Sequence, residues 1–311
     1  MGLLQETCDA IHSRSKEIEQ HIIKNWNDAS DSKQYGRLVN MVAQYGAATN
    51  QKNVTIPKPC MIIASADHGV ADMGVSAYPK ETTVGMTQNY LIPKGAGANS
   101  LANYCGAHME VIDMGIDADM SWVPGLRSHK LGMGTKNFVE EPAMTREQAI
   151  EGIETGIKLV QEKMADGYNV FLVGEMGISN TTASALMTAK FAGLTAEEAT
   201  GRGTNISDER LKLKQRIVHD VLVKYKDIPK DDAIGILAAV GGFEFTCIVG
   251  VILGAAAHHG MVIIDGFNTS ACALVAKTLV PASMDYVMAS HLSAEKAAKS
   301  SLKNLGLEAY V

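Results

Sequence analysis

The residues best suited to chemistry lie in a segment of glycines and polar side chains, residues 174–182 (GEMGISNTT). It follows a run of aliphatic residues and precedes a helical pattern. Its glycines allow backbone N–H groups to turn toward a ligand, and a helix N-terminus attracts phosphate. Glu175 stands at the strand's end, where it could act on a ribose or a base. The pattern equally allows Ser179, Asn180 and Thr181 merely to cap the helix.

A second glycine-flanked loop, residues 201–207 (GRGTNIS), is followed by three cations: Arg210, Lys212 and Lys214. Such a loop with nearby cations could complete a phosphate site. On the residues alone, however, Lys212 and Lys214 fit solvated positions of a surface helix better. The spacing therefore leaves the role of this loop open.

Three more polar segments follow apolar runs. Asp67 and His68 (in ADHGV) could serve acid–base or metal chemistry, but no second histidine lies at a zinc-binding spacing. A structural or positioning role is the better prediction for them. The segment 263–270 (IIDGFNTS) also fits a simple turn, and residues 290–295 (SHLSAE) fit a helix cap.

The elements that must position these segments form an α/β fold with a mostly parallel sheet covered by helices on both faces. The predicted strands are Cys60–Ala64, Glu110–Asp113, Asn169–Val173, Ile234–Ala238 and Met261–Ile264. The predicted helices are Arg146–Met164, Thr181–Phe191, Arg210–Lys224 and Phe243–Ala257. Residues 1–55 contain no strand-like run, and residues 290–311 also have a helical pattern. We therefore predict a small helical subdomain made by both chain ends beside a large α/β domain, residues 56–289.

Composition narrows the class of protein. With 46% hydrophobic and 20% charged residues, the 311-residue chain can bury a core, and its net charge of -6 argues against a dedicated nucleic-acid binder. The five scattered cysteines lack metal-binding spacing and indicate reduced thiols. No stretch reaches the roughly 20 apolar residues of a membrane span, and the N-terminus does not look like a secretory signal. A cytoplasmic protein that binds neither membranes nor nucleic acid is expected.

Seven motifs in order give the chain a specific resemblance: ADHGV, GVSAYP, GEMGISNTT, GRGTN with a downstream lysine, GGFE, IIDGF and SHLSAEK. The series resembles the nicotinate mononucleotide:5,6-dimethylbenzimidazole phosphoribosyltransferases, from about residue 36 to the C-terminus. The resemblance implies a Rossmann-like fold with a small helical domain, and dimers with active sites near the interface. It also implies transfer of phosphoribose from nicotinate mononucleotide to an aromatic acceptor, giving an α-riboside phosphate for the cobamide lower ligand. Neither a metal nor another cofactor is expected.

The resemblance also assigns site residues. Glu175 matches an acidic residue beside the ribose and the reacting base, and it is the candidate catalytic group. Tyr78 and Met86 map to the acceptor pocket, where relatives carry Ser and Gln. Lys212 stays a surface residue. The residues predicted to hold the phosphate and nucleotide are Met176, Gly177, Ile178, Ser179, Gly203, Asn205, Lys214, Asp265 and Ser293.

The chain departs from the family pattern at two places. Residues 32–38 (SKQYGRL) lack the family's Pro-Gly turn, and no residue aligns with the glutamate of the C-terminal R-L-G-E-G segment, taken as the family's general base. Three explanations fit these departures: a fragment, Glu175 acting as base toward a more acidic acceptor such as a phenol, or a heterodimer with a homologous chain, as in the branch of the family that attaches phenol or p-cresol. We favour the heterodimer. The alternative function is a catalytically inactive nucleotide-binding or structural subunit.

Overall fold

A six-stranded parallel sheet forms the centre of the protein, in the order β3-β2-β1-β4-β5-β6. The computed structural model describes residues 2–29 and 35–311. The strands are β1 (Pro59–Ala66), β2 (His108–Gly115), β3 (Leu126–Ser128), β4 (Val170–Met176), β5 (Met261–Ile264) and β6 (Val287–Ala289). This confirms the predicted α/β class. The strand order reverses between β1 and β4, which places a crevice at their carboxyl ends, where such sheets bind ligands.

Thirteen α-helices surround the sheet in the described part of the chain, and the four predicted helices are among them. They are α1 (Leu3–Ala10), α2 (Lys16–Ala29), α3 (Leu38–Ala48), α4 (Thr82–Leu91), α5 (Gly97–Cys105), α6 (Arg146–Ala165), α7 (Asn180–Ala192), α8 (Ala196–Ala199), α9 (Asp208–Lys224), α10 (Ala233–Val240), α11 (Phe243–Ala257), α12 (Phe267–Leu279) and α13 (Ala298–Leu305). No helix among the described residues is long and apolar enough to cross a membrane.

Side chains of the strands alternate between two apolar layers, as the pleat requires. Ile62 and Ala64 of β1 belong to the large core cluster that contains the fully buried helix α11. Ile63, between them, packs in a smaller cluster with Tyr90 of α4 and Val111 of β2. Helix α11 therefore covers one face of the sheet, and α4 and α5 cover part of the other.

Helices α6 and α11 cross so closely that glycines must stand at the contact. A Cβ on Gly156 would overlap the carbonyl oxygen of Cys247 and lie 2.8 Å from the backbone nitrogen of Val251. A Cβ on Gly250 would likewise overlap the carbonyl oxygen of Ile153. The backbones are therefore in direct contact, and α11 is fixed over the middle of the sheet.

Replacing Gly156 with Ala is expected to lower the free energy of unfolding by about 1–3 kcal/mol, because the added methyl overpacks this crossing. Gly85 is the matched control, since it lies in α4 and no atom lies within 4 Å of a Cβ built there. Gly85→Ala should instead stabilise by about 0.5–1 kcal/mol through helix propensity. Urea denaturation followed by circular dichroism measures both. Equal effects of the two substitutions would contradict the packing argument.

Two sequence predictions of secondary structure were wrong. Residues Ile234–Ala238 lie inside helix α10, not in a strand; every residue of α10 is buried, so its apolar run shows no helical period, and Asp232 caps it through the Gly235 N–H at 2.9 Å. Within residues 290–311 only α13 is α-helical. Gly306, with φ +75°, ends that helix, and Ala309 then pairs with Ala289 of β6.

The two chain ends meet on the surface of the α/β layers. The side chain of Arg37 donates to the carbonyl oxygen of Ala309 at 2.7 Å, and Arg14 pairs with Asp285 at 2.9 Å. The described part of residues 1–55 contains helices α1 to α3 and no strand, as predicted. The division into a separate helical subdomain stays a prediction. Of the divergent segment 32–38, residues 32–34 lie outside the described residues.

Candidate active site

Glu175 occupies the carboxyl end of β4, where its neighbour in β1 is Ala64. Two amides hold its carboxylate: Asn268 donates to Oε1 at 2.9 Å, and Asn180 donates to Oε2. The Asn268 amide also donates to Asn180 Oδ1 at 2.9 Å, and Ser184 donates to Asn268 Oδ1 at 2.7 Å. The amides are thus fixed by α7 and α12, and the carboxylate is presented in one orientation.

The surroundings of Glu175 make it a base suited to neutral pH. Burial raises the pKa of its carboxyl group to about 7, and the negative charges of Glu244 and Asp265 add to the shift. The hydrogen bonds from Asn268 and Asn180 act in the opposite direction. A carboxylate with this pKa can accept a proton at physiological pH and release it again.

Behind Glu175 lies a fully buried pair, His68 and Glu244, joined at 2.7 Å between Nε2 and Oε1. The carboxylate of Glu244 also accepts from Asn180 at 3.4 Å. Glycines leave room for the pair: a Cβ on Gly177 would lie 3.1 Å from both side chains, and one on Gly242 would lie 2.5 Å from His68 Cε1. The burial of His68 agrees with a positioning role rather than direct contact with a substrate.

The loop between β4 and α7, residues 177–179, contains three of the four predicted phosphate ligands, and Met176 is the last residue of β4. The N–H of Ile178 donates to Thr83 Oγ1 at 3.2 Å. Ser179 has φ +76° and makes no side-chain cap, and its hydroxyl is buried without a protein partner in this structure. The side chain of Asn180 bonds to Glu175, and Thr181 accepts a bond from Lys214 at 2.8 Å. Ser179, the N-cap residue, therefore makes no side-chain cap, and the side chains of Asn180 and Thr181 bond to Glu175 and Lys214 instead.

Lys214 is buried and reaches the start of α7, although α9 otherwise has an exposed face. Burial lowers the pKa of its ammonium group to about 8, an effect that the charge of Glu295 partly offsets. Gly203, with φ +56°, lies so close that its Cβ would be 3.4 Å from Lys214 Nζ and 2.7 Å from Thr181 Oγ1. The structure thus brings Lys214 and Gly203 to the start of α7, next to the loop of residues 177–179, while Lys212 is exposed.

The second glycine loop, residues 201–207, contacts two other segments of the chain, residues 293–295 and the segment that contains Ala77. The backbone N–H of Gly203 donates to Glu295 Oε1 at 2.8 Å, and the N–H of Glu295 donates to Ser293 Oγ at 3.3 Å. Thr204 accepts from the Ala77 N–H at 3.0 Å. Asn205 has φ +59° and an exposed side chain. Ser293 therefore belongs to the same corner as Lys214, and Asn205 lines a cavity of about 370 Å³ there together with Gly203 and Glu295.

A cleft of about 520 Å³ opens beside Glu175 on the sheet face that α4 and α5 cover. Asp265, Ser290 and Tyr90 line it together with apolar side chains of β1 and α5. Met86 packs in the cluster that holds Tyr90 and Met176, next to Glu175. Tyr78 is 56% exposed and lies outside that cluster. A shared acceptor pocket of Tyr78 and Met86 stays a prediction.

Sequence reasoning missed three residues that hold or line this site: Glu244, Asn268 and Tyr90. The first two belong to motifs already noted, GGFE and the segment after IIDGF, but polar residues next to a helix start look like caps. Tyr90 follows Met86 by one helical turn, which puts both on the same face. Within the described ranges, no group of three His, Cys, Asp or Glu residues is arranged to hold a metal ion.

Comparison with known proteins identifies the family. A profile described as "Phosphoribosyltransferase" matches residues 11–311. A nicotinate-nucleotide–dimethylbenzimidazole phosphoribosyltransferase of Chloroflexus aggregans is 43% identical over 84% of this chain and 73% of its own length. The enzyme of the same name from Geobacter metallireducens is 42% identical over 88% of this chain and 77% of its own.

Solved structures agree with the sequence relatives. The crystal structure of CobT from Thermus thermophilus superposes with a TM-score of 0.89 at 32% identity, covering 95% of this chain and 88% of that one. A second Thermus thermophilus structure, named as a nicotinate-nucleotide–dimethylbenzimidazole phosphoribosyltransferase, gives 0.88 at 31% identity. By these sequence and structure matches, the chain belongs to the phosphoribosyltransferase family that contains the nicotinate-nucleotide–dimethylbenzimidazole enzymes.

Proposed function

We propose that this chain transfers the 5-phosphoribosyl group of nicotinate mononucleotide to an aromatic acceptor, giving the α-riboside phosphate of a cobamide lower ligand. The names of its relatives support this reaction. The observation that carries the proposal is the position of Glu175. It is a carboxylate with a pKa near neutrality, and it directly precedes a loop whose geometry suits a phosphate.

Separate groups of residues bind the phosphate, position the acceptor and accept its proton in an in-line displacement. The N–H groups of Gly177 and Ser179 and the ammonium group of Lys214 hold the phosphate, which fixes the ribose near Glu175. The acceptor ring lies in the cleft beside Tyr90 and Met86. Its nitrogen bonds to the anomeric carbon as the glycosidic bond to nicotinate breaks, and nicotinate leaves with the bonding electrons. The configuration at that carbon inverts, and Glu175 accepts the proton of the acceptor.

For the acceptor we propose a benzimidazole-type base first, because the relatives' names specify dimethylbenzimidazole. A phenol or p-cresol is the second candidate, favoured by the apolar residues that Met86 and its cluster contribute. A phenol loses its proton only near pH 10, so a base with a pKa of about 7 would need to remove the proton as the new bond forms. Parallel assays with 5,6-dimethylbenzimidazole and p-cresol separate the two acceptors.

We further propose that the chain works beside a homologous chain, as one half of a dimer. The test is turnover of nicotinate mononucleotide to nicotinate and riboside phosphate, followed by mass spectrometry, with the chain alone and after mixing with a longer homologue. Turnover by the chain alone would show that Glu175 suffices and would contradict the need for a partner. Nucleotide binding without turnover in either mixture would contradict the transferase proposal and leave a nucleotide-binding subunit.

A further inference from the structure

We propose that the buried pair of His68 and Glu244 is a positioning unit for Glu175: it holds the Asn180 amide and acts on the Glu175 carboxylate through its charge. The proposal rests on the proposed role of Glu175 as base. His68 and Glu244 would not touch the substrate, since both side chains are fully buried. Their effect would reach the reaction through one intervening residue.

The hydrogen bonds define the route. The amide nitrogen of Asn180 donates to both carboxylates, Glu175 Oε2 and Glu244 Oε1, so these oxygens are separated by no more than two hydrogen-bond lengths. On its other side, Glu244 Oε1 accepts from His68 Nε2 at 2.7 Å. A single amide therefore bridges the reacting carboxylate and the buried pair. Loss of the charge on either His68 or Glu244 would therefore change the pKa of Glu175.

The buried position makes the charges matter. A lone carboxylate at the position of Glu244 would be costly without a partner, and His68 supplies the positive charge. The carboxylate of Glu244 raises the pKa of His68 against the opposing effect of burial, which favours the imidazolium form. A negative Glu244 disfavours ionisation of Glu175, and a positive His68 favours it, so the two members act in opposite directions.

Other titratable groups around the pair and Glu175 stay the same when either member is replaced. Asp265 faces Glu175 from the turn after β5, Tyr90 from α4 and Cys272 from α12. Asp67 faces His68 from its own turn. The proposed phosphate-binding loop, residues 177–179, also packs against the pair, because Gly177 lies between Ala66 and both side chains. A pair with a merely structural role would affect this loop, but its two replacements would not shift the pKa of Glu175 in opposite directions.

The test is the titration of Glu175 itself, read in the full chain by carbon-13 NMR of labelled glutamate carboxyls, with Glu175→Gln identifying the resonance. The parent midpoint is expected near 7. Glu244→Gln should lower it by about one unit, and His68→Gln should raise it by about one unit. Because the readout needs no turnover, it stands or fails separately from the proposed transferase activity.

Thr188→Val is the matched control, since Thr188 is equally buried on α7 but bonds to Ser301 instead. It should leave the midpoint unchanged. If a single variant does not fold, the double variant with Gln at both positions decides: the nearer charge is gone, so its midpoint must lie below that of the parent. Unchanged midpoints, or single-variant shifts in the same direction, would overturn the proposal.

Discussion

Replacing Glu175 with Gln is expected to lower kcat by about 10²- to 10⁴-fold, the usual contribution of a general base. Gln can still accept from one of the two amides that hold the carboxylate, so the local fold should survive. The dissociation constant for nicotinate mononucleotide should change little, because the proposed phosphate contacts come from the following loop and Lys214. Steady-state kinetics together with calorimetry in the preparation that turns over measure both quantities.

The pH dependence of kcat/KM provides a second test of Glu175 as the base. Burial raises the pKa of Glu175 to about 7, and a base works in its ionised form, so kcat/KM should rise as the pH increases through about 7. The rise should be absent from the residual activity of Glu175→Gln. Glu151→Gln, on the exposed side of α6, is the control and should keep the parent profile. Full activity of Glu175→Gln would exclude Glu175 as the base.

Local patterns were sufficient for the sheet because its strands are short aliphatic runs that end in polar residues. Met261–Ile264 was predicted with the observed bounds, and β1 and β2 extend beyond their predicted runs by one or two residues at each end. Strand β4 begins one residue after its predicted run and ends three residues beyond it. The pattern failed at α10, where burial on all sides removes the contrast between faces. The three-residue strands β3 and β6 were missed because they are too short to show alternation.

For the site, the sequence predicted single residues but not their partnerships. Nothing in the spacing of Glu175, Glu244 and Asn268 indicates that they meet, because they are separated by 69 and 24 positions along the chain. They meet because β4, α11 and α12 end or begin at the same edge of the sheet. Lys214 shows the same limit: its neighbours in α9 suggest a solvated helix, and only the packing of α9 on α7 buries it.

Replacing Lys214 with Ala is expected to weaken nicotinate mononucleotide binding by roughly 10- to 150-fold, which corresponds to about 1.5–3 kcal/mol for a charge-assisted bond. Calorimetry of the full chain measures it, with Lys212→Ala, an exposed residue of the same helix, as the control. The control should bind like the parent. Equal affinities of all three proteins would contradict the placement of the phosphate at this loop.

The affinity should also depend on pH in a defined window, because Lys214 and the phosphate must both be charged. Burial lowers the pKa of Lys214 to about 8, so affinity should fall as the pH rises through about 8 and the ammonium group loses its proton. It should also fall below about 6, where a phosphate monoester gains its second proton. In Lys214→Ala the decline near pH 8 should disappear while the decline near pH 6 remains. A decline near pH 8 that persists in this variant would assign it to another group.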